Sequence, residues 1–181
     1  MINFAYKDHY TVEDLIQIIH LLRSDHGCPW DREQTHESIR RNFLEEAYEA
    51  VEAIDERDPE HLKEELGDVL TQVIFHAAIE EEDGRFCLDD VADGTCKKLI
   101  GRHPHVFGTK EVTGSDDVLR NWDEIKRQEK GQKTHTSAMD SVARSLPALW
   151  RAEKIQNKAK KVGFDWPEYG NGHCNERTWL S

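Results

Sequence analysis

The sequence predicts an all-α protein, and three observations carry that prediction. Strand signals, the alternating runs of β-branched and aromatic residues, are nearly absent. Apolar residues recur at helical spacing in segment after segment. Capping residues stand at the heads of those segments, at Thr11, Asp58-Pro59 and Ser115.

Composition bounds the function. At 181 residues the chain is long enough for one domain with a real core. A third of its residues are charged and the formal net charge is −12. Both a nucleic-acid backbone and an anionic membrane need a basic face, so neither is expected as a partner. A nucleotide is not excluded, because metal ions bridge carboxylates to phosphates. No apolar run approaches membrane-spanning length and no charged-then-apolar leader opens the chain. The four cysteines, Cys28, Cys87, Cys96 and Cys174, show no CxxC spacing. They are expected to be reduced thiols in a cytoplasmic protein.

The elements follow in chain order. Thr11 to Ser24 is a helix, capped by Thr11, with Glu13 and Asp14 in the first turn and Leu15, Ile18, Ile19 and Leu22 as its stripe. His26 to Asp31 is expected to be a loop, with Trp30 folding back onto the core or flanking a ligand, the core being favoured because buried aromatics are common. Glu45 to Asp68 spans two helices joined by a tight turn at Asp58-Pro59, hence antiparallel neighbours. Phe43, Leu44, Ala47, Val51 and Ile54 form the expected inward stripe of the first. Leu62, Leu66, Val69, Leu70, Val73 and Ala77 form that of the second. Beyond Asp68 the second helix is apolar nearly all round, with Phe75 and Ile79 opposite the main stripe. That predicts a second subunit covering the Phe75 and Ile79 side.

Asp89 to Arg102 is the next helix, ended by His103-Pro104. Lys98 and Arg102 share one of its faces, as solvated residues or as a clamp for phosphate. His103 and His105 form a structural corner. Glu33 and His36 make a single ExxH, whereas a di-iron bundle needs two. Ser115 caps a helix on which Leu119, Trp122 and Ile125 face inward, and Lys126 lies one turn beyond Trp122. Gly131 to Asp140 is a polar linker. A last, basic helix runs from Ser145-Leu146-Pro147 to about Val162 and ends at Gly163. From Pro167 onward no pattern emerges. The expected organisation is a domain over 1–130, a linker and basic helix over 131–166, and a disordered tail over 167–181.

The chemistry-bearing residues lie on the two central helices. Glu46 and Glu49 are three apart, as are Glu65 and Asp68, so each pair shares a helix face. Both pairs border an apolar stripe, unlike Glu52, Asp55, Glu56, Glu60, Glu81 and Glu82, which read as solvated acids. Packing the stripes together brings four anions into one groove, where they repel and lose hydration. A hard divalent cation relieves both costs, and oxygen-only ligands favour Mg²⁺ or Mn²⁺ over zinc.

The same residues carry a resemblance. ExxE, a spacer and ExxD resemble the signature of the MazG family of nucleotide pyrophosphohydrolases. Flanking matches are CPWDREQTHES at 28–38, LEEAYE at 44–49, KEELGDVL at 63–70, RHPHVFG at 102–108 and NWDEIKRQEK at 121–130. The likeness runs from about Thr11 to Trp166. It implies a MazG-like helical bundle that forms a dimer or a dimer of dimers. The implied activity is Mg²⁺-dependent hydrolysis of a nucleoside triphosphate to a monophosphate and pyrophosphate, serving nucleotide-pool house-cleaning. Glu46, Glu49, Glu65 and Asp68 would hold the metal, and Glu46 is also placed with the catalytic residues. Glu45 would orient or deprotonate the water. Lys98 and Arg102 would face the triphosphate, Trp122 would border the nucleotide, and Lys126 could meet a phosphate. Gly101 departs from many relatives, which look more basic there. Two other functions fit the motifs: a catalytically weak copy acting as a regulatory or oligomerisation module, and a dUTP or phosphoribosyl-ATP pyrophosphohydrolase. The CPWD and HPHVFG matches speak against the second.

Overall fold

The computed structural model describes residues 4–129, 139, 141–160 and 163. Its helices are α1 (Val12–Arg23), α2 (Pro29–Glu33), α3 (His36–Glu56), α4 (Pro59–Glu82), α5 (Leu88–Arg102), α6 (Pro104–Phe107), α7 (Ser115–Glu129) and α8 (Ala148–Lys160). There is no strand among the described residues. The expected linker at 131–140 lies almost wholly outside them, and the expected tail at 167–181 entirely. The chain divides into two compact units, Met1–Leu99 and Ile100–Ser181.

In the first unit, α1 opens with a reciprocal capping box. The Asp14 N–H donates to the Thr11 hydroxyl at 3.3 Å, and the Thr11 N–H donates to the Asp14 carboxylate at 3.0 Å. A short helix, α2, replaces the expected loop. Pro29 begins it, where a missing N–H leaves nothing unpaired. Trp30 on this helix is 60% exposed rather than part of the core, because so short a helix presents it outward.

Asp58-Pro59 performs the expected stop and start. Arg57 closes α3 in the left-handed region at φ 58°. The Asp58 side chain then accepts from the N–H groups of Glu60 and His61 at 3.0 and 3.1 Å. The two helices run antiparallel, so His36 meets Glu80 at one end of the pair and Glu56 meets His61 at the other.

The faces differ from expectation. On α3 the buried residues are Ile39, Ala50 and Ala53, while Leu44, Val51 and Ile54 are exposed. On α4 they are Glu65, Ile74, Phe75, Ala77, Ala78 and Ile79, and Leu66 is exposed. Small alanines let two helices approach closely where larger side chains would hold them apart.

The core cluster joins Ile19 of α1, Ile39 of α3, and Ile74, Phe75, Ala78 and Ile79 of α4. Leu15 and Ile16 of α1 pack against it. The Phe75 and Ile79 side is thus covered by α1 of the same chain and needs no second subunit. Arg23 locks that arrangement. Its guanidinium donates to both Glu82 oxygens at 2.6 and 2.7 Å and to the Asp31 carbonyl at 2.7 Å, and lies over the Phe75 ring at 4.9 Å. Buried charge is tolerable when each nitrogen of the group meets an acceptor in this way. Helix α5 meets the core through Leu88 and is exposed from Asp89 to Gly101.

In the second unit, the His103 ring stands edge-on to Trp122 at 4.9 Å and 86°. Helix α7 begins at Ser115 itself, and Asp117 in its first turn accepts from the Thr113 N–H at 3.0 Å. Gly163 closes α8 as expected. Its φ of 82° suits glycine, and its N–H donates to the Lys160 carbonyl at 3.0 Å.

Candidate metal centre

Antiparallel packing of α3 and α4 sets Glu46 and Glu49 opposite Glu65. One oxygen of each lies within 4.8 Å of one oxygen of both others. Glu65 is 7% exposed, although it is a carboxylate in the second turn of a surface-starting helix. Its Oε2 is buried and has no hydrogen-bond partner among the described residues. Burial raises the Glu65 pKa, Glu49 and Asp68 raise it further, and His61 partly offsets them. Burial likewise raises that of Glu46, with further repulsion from Asp68, Glu49 and Glu65 and a hydrogen bond to Glu49.

Asp68 is exposed and stands outside the tight trio. It is still the strongest of the charges that push Glu46 up, so it borders the same groove. Glu45 is exposed and forms an i, i+4 pair with Arg41 at 2.8 Å. His61, overlooked in the sequence, contacts both helices. Its Nε2 lies 3.2 Å from Glu65 Oε1 and its Nδ1 3.7 Å from Glu56 Oε2. The i, i+4 spacing of His61 and Glu65 is the signal that could have found it.

A second polar cluster lies further along the hairpin. His36 Nδ1 and His76 Nδ1 are 2.7 Å apart, and His36 Nε2 lies 2.6 Å from Glu80 Oε1. The two imidazole rings stack at 5.0 Å, and Phe43 stands edge-on to His76. Burial and His36 together lower the His76 pKa. Glu80 is shared with Arg85. This cluster absorbs the ExxH histidine into a structural role.

Of the four expected nucleotide contacts, Lys98 is exposed on α5. Arg102, in the second unit, is already engaged. Its guanidinium pairs with the Glu129 carboxylate at 2.5 Å through a terminal nitrogen and at 3.0 Å through Nε. Lys126 Nζ sits 5.3 Å above the Trp122 ring, and Trp122 Nε1 is buried without a partner among the described residues. Nothing in the sequence flags the Arg102–Glu129 pair, which closes over 27 residues.

Residues 34–107, which include the trio and all of α3 and α4, match the family model of the MazG nucleotide pyrophosphohydrolase domain. That stretch is a MazG nucleotide pyrophosphohydrolase domain. It is 46% identical over 160 residues to a nucleoside triphosphate pyrophosphohydrolase of Escherichia coli K12, covering 88% of this chain and 61% of that one. To the nucleoside triphosphate pyrophosphohydrolase/pyrophosphatase MazG of Thermotoga maritima it is 48% identical over 156 residues, 86% of this chain and 59% of that protein. The chain therefore spans about six tenths of the length of these two MazG relatives. It is also 52% identical over 139 residues to the uncharacterized protein YabN of Bacillus subtilis, 77% of this chain and 28% of that one. A crystal structure of a mazG-related protein from T. maritima superposes with a TM-score of 0.54 at 28% identity, over 64% of this chain and 98% of that one. The all-helical MazG fold that the resemblance implies is the one observed. No described helix is long and apolar enough to cross a membrane.

Proposed function

We propose that this chain hydrolyses nucleoside triphosphates to monophosphates and pyrophosphate, with Glu46, Glu49, Glu65 and Asp68 holding Mg²⁺ or Mn²⁺. The observation that carries this is the trio itself. Three carboxylates converge within 4.8 Å, one of them buried with an oxygen that has no hydrogen-bond partner among the described residues. Mutual repulsion and lost hydration make such a cluster unfavourable unless a cation completes it. The donor set is all oxygen, which fits a hard cation. Bound there, the metal supplies charge neutralisation for phosphate and lowers the pKa of water.

The protein's own groups do the rest. The trio presents its oxygens from two helices clamped by the Ile74 core and the Asp58 cap, so the site is preorganised. Glu45, exposed beside this face of α3, orients the attacking water. Lys98 and Arg102 stabilise charge that builds on the leaving pyrophosphate. Arg102 exchanges Glu129 for phosphate when substrate arrives. Trp122 and Lys126 border the nucleotide, where stacking tolerates any base.

We further read the chain as a homo-oligomer, in cytoplasmic service. Leu44, Tyr48, Val51 and Ile54 on α3, and Val91, Leu99 and Ile100 on α5, are large apolar residues left exposed. A second copy of this chain would cover them. Pyrophosphate detection across a panel of NTPs and dNTPs, with Mg²⁺ or with chelator, tests the activity. Light scattering at micromolar concentration tests the assembly, and a compact monomer would contradict it.

A further inference from the structure

The two oxygens of Glu65 stand in different surroundings. Oε1 lies 3.2 Å from Nε2 of His61, one helical turn earlier on α4. Oε2 is buried and unpartnered among the described residues. His61 has two further neighbours. Its backbone N–H donates to the capping carboxylate of Asp58 at 3.1 Å, and its Nδ1 lies 3.7 Å from the carboxylate of Glu56, the last residue of α3.

We infer that His61 is a positioning residue of the metal centre, gripping Oε1 of Glu65 so that Oε2 is the oxygen offered to the cation. This rests on Glu46, Glu49 and Glu65 forming a cation site. An i, i+4 pair between solvated groups does little. Here one partner is only 7% exposed and its other oxygen has no hydrogen-bond partner among the described residues. A carboxylate with two free oxygens could rotate. One whose first oxygen is anchored from the previous turn presents the second in a fixed direction. Outer-shell groups that orient metal-binding side chains typically change metal affinity by about 10–100-fold when removed. His61 also spans the chain reversal. It lies beside Glu56 at the end of α3 as well as Glu65 on α4, the same two helices that carry the trio.

Two variants separate this role from simple packing. His61→Gln keeps a donor near the Nε2 position, and His61→Leu keeps bulk without one. Mn²⁺ affinity, measured by calorimetry and by the electron paramagnetic resonance of free Mn²⁺, is the readout. His61→Leu should bind Mn²⁺ about 10–100-fold more weakly than wild type, while His61→Gln stays within about threefold. Saturating Mn²⁺ should restore most of the turnover of His61→Leu, since the role is to position a ligand. Wild-type affinity in His61→Leu overturns the inference, and so does a His61→Gln protein that binds well outside threefold of wild type. The second criterion stands even if the Leu variant fails to fold. A wild-type protein that binds no Mn²⁺ overturns the metal centre itself, a different result from intact wild-type binding with an unaffected His61→Leu.

Discussion

Two groups of expected site residues, one in each unit, differ in how their charges are settled. In the first unit, Glu46, Glu49 and Glu65 crowd together, and among the described residues no basic side chain pairs with any of them except His61 with Glu65. In the second unit, Arg102 faces Glu129 in a close two-point contact, and Lys126 rests over Trp122. One set is held in a state that its own chain leaves unfavourable. The other is at rest. On the proposed function, the unsettled charge is what a bound cation would neutralise, whereas the settled pair would have to exchange partners to meet phosphate. The acids should therefore be indispensable, and the Arg102–Glu129 pair should tune affinity.

The largest effect sharpens the first half of that contrast. Glu65→Gln and Glu46→Gln should each lower activity by at least about 100-fold, the upper end of what losing even an outer-shell partner costs. Asp68→Asn should lose most activity as well. Thermal unfolding in chelator should show the Gln variants as stable as wild type or more so, because each removes a repulsive charge. Loss of helix content would instead make the trio a folding element. Smaller is the effect of truncating the basic side. Lys98→Ala and Arg102→Ala should each cost about 10–100-fold in kcat/KM, the size of one charge-assisted contact, and equally for all nucleotides. Base-dependent losses would place these side chains elsewhere.

Glu129→Gln should do the opposite and only slightly. Exposed ion pairs contribute about 0.2–1 kcal/mol, so freeing Arg102 should lower KM by about 1.5–5-fold. A raised KM would mean that Glu129 holds Arg102 in its working position.

The smallest effect concerns pH. Burial and repulsion raise the pKa values of Glu46 and Glu65, so the folded metal-free protein holds protons that the unfolded chain has released. That contribution stabilises at acid pH and is lost as pH rises from the ordinary glutamate range through the raised values. His76, whose pKa burial lowers, works the other way and destabilises as pH falls. The contrast between wild type and Glu46→Gln isolates the acids. From about pH 5 to pH 7, metal-free wild type should lose more in Tm than the variant, and Mn²⁺ should reverse the difference by stabilising wild type alone.

The long helices were legible in the sequence because local chemistry sets them, whereas the short α2 was not. Thr11 and Asp14 cap α1, and Asp58-Pro59 starts α4, through contacts within three residues. The carboxylate spacing was legible for the same reason. Which face turns inward was not. Helix α3 carries both an alanine row and a row of larger apolar residues, and hydrophobicity alone favours the larger ones. Close helix packing selected Ala50 and Ala53 and left Leu44, Val51 and Ile54 outside. The cover over Phe75 and Ile79 was equally hidden, since it depends on where α1 docks. The Arg102–Glu129 pair joins residues with no periodic relation at all.

The most direct test of the central claim is hydrolysis of a nucleoside triphosphate in ¹⁸O-labelled water, with wild type and Glu65→Gln assayed in Mg²⁺ and in chelator. Wild type in Mg²⁺ should yield monophosphate and pyrophosphate with the label in the monophosphate, and both chelator and Glu65→Gln should abolish the reaction. A diphosphate as first product, label confined to the inorganic product, or turnover indifferent to chelator and to Glu65 would contradict it.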